Sequence, residues 1–366
     1  MEKLLFQFLV DEFGVDKNTF PEPLGEGHIN QTWLAYNKDG PLVLQKLNTE
    51  VFPSSDILMN NFSKVATHLL NKQQQGHYPF TVMKLLKNAH GNEVCHHPEF
   101  GLWRGLSFIE DTVTLQTVTS AKQAHQVAFS FGAFGRSLMD LPVAELGEVL
   151  VDFHNLETRL KQLDKAVSHA KDNAVSYDGQ ARLKAAQAPL DFVNQHLSIV
   201  DEINALIAAG LPLRVTHNDT KVNNVLLKKA DYSASCVIDL DTVMPGYLMY
   251  DFGDMVRSVT SPEREDTPDT DKVTLREDMF AAVVEGYLES MQGALTEIEV
   301  DSLLPGAKLL IFIVGIRFLT DYLNGDSYFG ADFDDHNLLR ANNQFALLAS
   351  LLQQEQRLQH IIEQAR

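Results

Sequence analysis

The sequence predicts an α+β protein of two lobes: a small β-rich N-lobe over residues 1–108 and a large, mostly helical C-lobe over residues 109–366. Three observations carry this. Alternating apolar and polar positions with turn residues dominate the N-terminal part, and apolar positions from residue 119 onward recur at helical spacing. The chain's 366 residues are also enough for two cores.

The elements follow in order. The opening MEKLLFQFLVDEFG has a short apolar run met directly by acidic residues and no small-residue cleavage site, so it reads as an amphipathic helix rather than a signal peptide. LGEGHINQTWLAY, the turn Asn37-Lys38-Asp39-Gly40 and PLVLQKLN make a hairpin bearing glycines. A helix is expected from a cap at Ser54 or Ser55 to about residue 72, then strand material at 93–94 and 102–109. The segment FIED at 108–111 connects the lobes. Beyond it, helical apolar positions such as Phe129, Phe131, Phe134 and Leu138 give way twice to β-rich runs, LRVTHND with NVLL and then SCVIDLD. Helices are expected around 276–291, 302–324 and 337–364, and the charged SPEREDTPDTDK at 261–272 reads as a mobile loop. Proteins of two lobes commonly bind ligands at the seam.

Composition narrows the partners. A formal charge of −19 repels phosphate backbones and anionic lipid surfaces, so nucleic acid and membrane are expected not to be partners. The longest apolar run, residues 309–316, is bounded by Lys308 and Arg317 and is too short to cross a bilayer. Cys95 and Cys236 stand alone, without metal-ligand spacing, which fits a reducing, cytoplasmic setting and argues against structural zinc.

The chemistry concentrates in VTHNDTKVNNV at 215–225. His217 is followed by Asp219, Lys221 and Asn224, and a later strand ends in Asp239 and Asp241. Phosphoryl transfer needs a carboxylate to orient and deprotonate a hydroxyl, oxygen ligands for Mg²⁺ on nucleotide phosphates, and a cation near the group in transit. Asp219, then Asn224 with Asp239, then Lys221 supply these roles. Taken singly, each residue is as well read as a turn or cap; the joint spacing favours the catalytic assignment.

This His-x-Asp-x-x-x-x-Asn pattern followed by Ile-Asp resembles the signature of the aminoglycoside phosphotransferase and choline kinase superfamily, which implies a protein-kinase-like fold. A narrower resemblance rests on GEGHIN, LNTEVFP, LRVTHNDTKVNN, VIDLDTVMPG, YDFGD and IRFLTDYLNGDSYF, which look like the N-acetylhexosamine 1-kinases. It implies transfer of phosphate from ATP, with Mg²⁺, to the anomeric hydroxyl of N-acetylglucosamine or N-acetylgalactosamine. The triplet Asp251-Phe252-Gly253 imitates the metal-binding Asp-Phe-Gly of protein kinases. Spacing decides otherwise, because Asp239 lies 15 residues after Asn224 and Asp251 lies 27 after it. The resemblance therefore puts Asp239 on the metal and makes Asp251 an anchor for backbone N–H groups of the catalytic loop. Asp241 is assigned to substrate, with a second metal ligand or a solvated loop carboxylate as alternatives.

For the nucleotide, Gly25 and Gly27 would present backbone N–H groups to phosphates, Gln45 and Lys46 share the place of the usual strand lysine, and Glu110 lies in the connector. The helix at 54–72 lacks the Glu that would pair with that lysine. For the sugar, the resemblance offers His28, Arg317 and Tyr328, with Asp321 one helical turn after Arg317. His217 is expected to hold the loop rather than act as base, and His154 to be structural. The rival readings are a kinase of a cationic alcohol and a nucleotide-binding pseudokinase; the sequence leaves the oligomeric state open.

Overall fold

Alternation in the first part of the chain builds a sheet, and that sheet supplies the roof of the candidate site. The computed structural model describes residues 2–25, 29–172 and 177–366. Helix α1 (Glu2–Phe13) precedes β1 (Glu22–Pro23), β2 (Gln31–Asn37), β3 (Gly40–Leu47), α2 (Ser55–Gln74), β4 (Leu85–Leu86), β5 (Val94–His97) and β6 (Gly101–Ser107). The strands form one antiparallel sheet in the order β1-β2-β3-β6-β4, with β5 also on β6.

Because side chains alternate along a strand, the two faces of β3 have different fates. Leu42 and Leu44 pack under α1 with Leu9, Phe13 and Trp103. Val43 joins the main core with Phe62 and Val65 of α2. Gln45 shares Val43's face, and its register partners are Thr32 on β2 and Arg104 on β6.

The rest of the chain is mostly helical. After β7 (Thr112–Val113) come α3 (Ala121–Leu138), α4 (Leu156–Asp172), α5 (Tyr177–Ala185), α6 (Gln187–Gln195) and α7 (Ser198–Ala208). Short strands follow: β8 (Arg214–Thr216), β9 (Val225–Lys228), β10 (Ala234–Val237) and β11 (Met244–Gly246). Then come α8 (Leu248–Thr260), α9 (Glu277–Met291), α10 (Glu297–Asp301), α11 (Leu303–Leu323) and α12 (His336–Ala365). The segment 261–272, expected to be a mobile loop, is tied down where Arg257 meets Glu265 at 2.7 Å and Asn343 donates to the carbonyl of Arg264.

Helix α11 corrects the reading of the apolar run at 309–316. The helix spans 21 residues and is long and apolar enough to cross a membrane, but 78% of its apolar window is buried inside this fold. It packs against α4, α8 and α12. Gly253 of α8 and Gly306 of α11 permit the close crossing, since a Cβ on Gly253 would lie 2.2 Å from the Gly306 carbonyl oxygen. The glycine of the misleading triplet is thus a packing requirement.

Candidate active site

The hairpin of β9 and β10 explains how residues far apart in sequence meet. Val225 pairs with Val237, and Ile238 N–H donates to the Asn224 carbonyl at 3.0 Å, so Asn224 and Asp239 flank one end of the hairpin. Asp239 itself adopts a left-handed conformation, φ 59° and ψ 61°. Asp219, Lys221, Asn224 and Asp239 line one cleft of 280 Å³ at the underside of the sheet, together with Thr32 and Gln45.

The loop at 217–224 is held from several sides. Asp251, in the first turn of α8, accepts from His217 N at 2.9 Å and Asn218 N at 2.7 Å. Thr242 Oγ1 donates to the His217 carbonyl and His154 Nε2 to that of Asn218. His217 Nδ1 accepts from Asp219 N while Nε2 faces the Ile238 carbonyl at 2.9 Å, which fixes its proton on Nε2. Burial pushes Asp251 up to about 6, the two backbone donors opposing it.

Within the loop, Asp219 Oδ2 receives Lys221 Nζ at 3.0 Å and Asn224 Nδ2 at 2.8 Å. Burial alone would raise the Asp219 carboxyl, but Lys221, with help from His217 and Asn224, outweighs it and holds the group below its ordinary value. Burial would lower Lys221, and Asp219 and Asp239 reverse that, keeping it firmly cationic.

The donor set suits a hard divalent cation. Asn224 spends its amide hydrogens on the carbonyl and carboxylate of Asp219, leaving Oδ1 available. Asp239 accepts no hydrogen bond among the described residues, and burial together with Asp241 and Asp219 pushes it up to about 7. A crowded carboxylate short of positive charge beside an amide oxygen is oxygen-ligand chemistry of the magnesium or calcium kind. No group of three His, Cys, Asp or Glu residues is assembled for a metal among the described residues.

Lys46 and Glu110 do not line this cleft. Lys46 has the strand parity of Leu42 and Leu44, and its side chain runs along Gly101, away from the cleft. Glu110 is exposed in the turn after β6. Asp241 lines the cleft but is 2% exposed, its Oδ1 in an ion pair with Arg104 Nη2 at 2.7 Å and its Oδ2 accepting from Asn30 Nδ2 at 2.7 Å. Gly25 is exposed with φ +77°, while Gly27 and His28 lie outside the described residues.

On the acceptor side, Arg317 lies over three rings, Phe153 at 5.0 Å, Phe329 at 5.2 Å and Tyr328 at 5.7 Å. Its Nη2 reaches the Tyr328 hydroxyl at 3.4 Å. Asp321, one helical turn after Arg317, accepts from the backbone N–H groups of Tyr328 and Phe329, at 2.8 and 2.9 Å, and so fixes those rings. Phe153, Arg317 and Tyr328 also line a second chamber of 910 Å³.

The profile of the phosphotransferase enzyme family matches residues 21–289, which take in the sheet, the 217–224 loop and the Asp239 hairpin. The chain belongs to this family. Among solved structures, this phosphotransferase is similar to a microcompartment-associated aminopropanol kinase, at TM-score 0.63 and 13% identity over 98% of both chains. It is similar also to an amicoumacin kinase solved with AMP-PNP, Ca²⁺ and its amicoumacin ligand, at TM-score 0.61 and 13% identity over 94% of this chain and 93% of that one. A choline kinase from Cryptosporidium parvum Iowa II matches at TM-score 0.57 and 12% identity over 96% and 97%. At such identities these likenesses establish the bilobal kinase-like fold.

Sequence reasoning missed three residues of this phosphotransferase's cleft region. Arg104 and Asn30 engage Asp241, and Asp254 of α8 lines the cleft with its Oδ2 buried and unpartnered. Only Arg104 left a local signal, a lone charge in the middle of the apolar strand GLWRGLS.

Proposed function

We propose that this phosphotransferase moves the γ-phosphoryl group of ATP to the anomeric hydroxyl of an N-acetylhexosamine. The observation that carries the acceptor class is the position of Arg317. An ammonium-bearing acceptor is usually held by a cluster of aromatic rings, and here the Phe153, Tyr328 and Phe329 cluster is occupied by the protein's own guanidinium. A second cation at those rings meets repulsion. A neutral polyol with an acetamido carbonyl finds donors: the guanidinium and the tyrosine hydroxyl.

Asp219 is the base. Held ionised by Lys221, it orients the acceptor hydroxyl. As transfer proceeds the hydroxyl proton passes to Asp219, the oxygen bonds the γ-phosphorus, and the bond from that phosphorus to the β,γ-bridging oxygen breaks, releasing ADP. A base of low proton affinity suits a loose transition state in which the proton leaves late. Lys221 holds Asp219 in place and sets positive charge beside the transferring group. Asn224 and Asp239 would hold the divalent cation, Mg²⁺, which when bound supplies charge against the β- and γ-phosphates. The sheet over residues 1–108 acts as the nucleotide lobe and residues 109–366 carry base and acceptor sites.

The test is a panel of N-acetylglucosamine, N-acetylgalactosamine, glucose, choline and kanamycin with Mg-ATP, followed by phosphorus NMR beside an Asp219→Asn control. An anomeric phosphate on an N-acetylhexosamine, reduced about 10²–10⁴-fold in rate by the substitution, supports the reading. Transfer to choline or kanamycin instead overturns the acceptor class and keeps the base. Nucleotide binding with no transfer to any acceptor overturns the enzyme reading in favour of a pseudokinase.

A further inference from the structure

Among the described residues, no strand lysine faces the kinase-like cleft, and α2 carries no glutamate to pair with one. We propose that Arg104 replaces that lysine from the neighbouring strand and acts on the nucleotide phosphates through Gln45, whose side-chain amide it turns so that the NH₂ group is presented to the cleft. The inference rests on the reading of this cleft as the nucleotide site.

The geometry begins with register. Thr32, Gln45 and Arg104 form one row across β2, β3 and β6, on the face that looks away from α1. Arg104 donates to Gln45 Oε1 from Nε at 2.9 Å and from Nη2 at 2.6 Å. A guanidinium has donors only, so the amide can stand in one orientation: oxygen toward Arg104 and nitrogen away. Among the described residues Gln45 Nε2 donates one hydrogen bond, to Thr32 Oγ1 at 3.2 Å, which leaves its second hydrogen free, and both Gln45 and Thr32 line the cleft that holds Asp219, Lys221 and Asp239. The amide therefore carries N–H capacity for an anionic oxygen there. Arg104, 1% exposed, stays behind it and polarises it.

The charge balance mirrors the lysine–glutamate pair of protein kinases with its parts moved. The cation comes from β6 and its carboxylate is Asp241, two residues beyond Asp239. The helix contributes a ring instead of a glutamate, since the Arg104 guanidinium lies 5.2 Å over Phe62 of α2. Helix α2 is fastened separately: Asn61 Nδ2 donates to the carbonyls of Gly147 at 2.8 Å and Val243 at 2.9 Å. The Arg104–Asp241 pair also ties the sheet to the loop carrying Asp239, so Arg104 positions both the phosphate donor and the metal-side residue.

The experiment measures AMP-PNP binding by calorimetry with Mg²⁺ in the intact protein and in two variants, with melting temperature followed in parallel. Gln45→Lys restores the common residue but sets a second cation against Arg104; the expected result is weaker nucleotide binding with a lowered melting temperature. Tighter binding at an unchanged melting temperature would overturn the proposal, because Gln45 would then be only a lost lysine. Arg104→Met with Asp241→Asn removes both charges together and avoids stranding a buried carboxylate. The expected result is a folded protein with nucleotide affinity weakened about tenfold or more and acceptor affinity unchanged; unaltered nucleotide affinity overturns the proposal. If the unmodified protein binds AMP-PNP but phosphorylates no N-acetylhexosamine, the acceptor reading fails alone. If it does not bind AMP-PNP, the nucleotide reading fails and this inference with it.

Discussion

Asp251 Oδ1 accepts the backbone N–H of Asn218 at 2.7 Å, and Asn218 stands in a left-handed conformation with φ 64° immediately before Asp219. The hydrogen bond holds a backbone geometry that an asparagine tolerates and most residues resist. A carboxylate in the first turn of α8 is favoured by the helix dipole as well. Asp251 therefore holds the loop by its backbone.

Replacing Asp251 with alanine strands the His217 and Asn218 N–H groups in a buried site. The expected cost is about 2–4 kcal/mol of stability, read as a lower urea midpoint, with activity lost in step. A variant with wild-type stability and no activity would put Asp251 in the chemistry and contradict this assignment.

Much of the candidate catalytic cluster is legible in the sequence because it is local. Asp219, Lys221 and Asn224 lie in one loop, and a short hairpin suffices to bring Asp239 to them. The roof is not legible in the same way. Whether Gln45 or Lys46 faces the cleft depends on strand parity, and the partner of Gln45 depends on β3–β6 register, which no window of sequence contains. The partners of Asp241 are hidden for a related reason: the chain turns left-handed at Asp239 and enters a 3₁₀ turn over Leu240–Thr242, which sets the Asp241 carboxylate against Arg104 and Asn30 in the wall of the cleft. Arg317 and Asp321 show the limit of helical spacing. They are i, i+4, yet a loop supplies Asp321 with backbone donors and aromatic rings supply Arg317 with a surface.

His154 gives a pH signature. Burial, aided by the charges of Arg317 and Arg159 and opposed by the hydrogen bond to Asn218, pushes it down to about 3. Above its ordinary value near 6.5 the histidine is neutral folded and unfolded, and it costs nothing. As pH falls below that value the unfolded chain takes up a proton that the folded chain refuses, so stability declines toward acid. Between pH 6.5 and 5 the loss from this residue is on the order of 2 kcal/mol. Comparing unfolding of the wild type with His154→Gln at both pH values checks this; equal acid losses in the two proteins would rule His154 out as the source.

Arg317→Met should raise the acceptor KM by about 10–100-fold while leaving the ATP KM in place, since Arg317 lies among the acceptor-side rings of Phe153 and Tyr328. The same change vacates the Phe153, Tyr328 and Phe329 surface. Weak choline binding should then appear, within the about 1–2 kcal/mol that such a cluster offers a cation. Both effects can be read from steady-state kinetics and choline titration. An unchanged acceptor KM would remove Arg317 from the site.

Asp254 separates stability from function. Its Oδ1 is held by Arg257 Nε at 2.7 Å, and Arg257 is shared with Glu265, but its Oδ2 is buried without a hydrogen-bond partner among the described residues, and the residue lines the cleft that holds Asp219. Burial raises its proton affinity, and the Asp219 charge adds to that against the pull of Arg257. A carboxylate placed so is a liability to the fold, and such liabilities are retained where substrate satisfies them. Asparagine at 254 keeps the shape and removes the charge, while Arg257 keeps Glu265. The expected result is a melting temperature unchanged or raised by a few degrees, with kcat/KM lowered by about tenfold or more. A destabilised protein of full activity would mean that Asp254 serves Arg257 and the fold, and that its free oxygen has no part in the reaction.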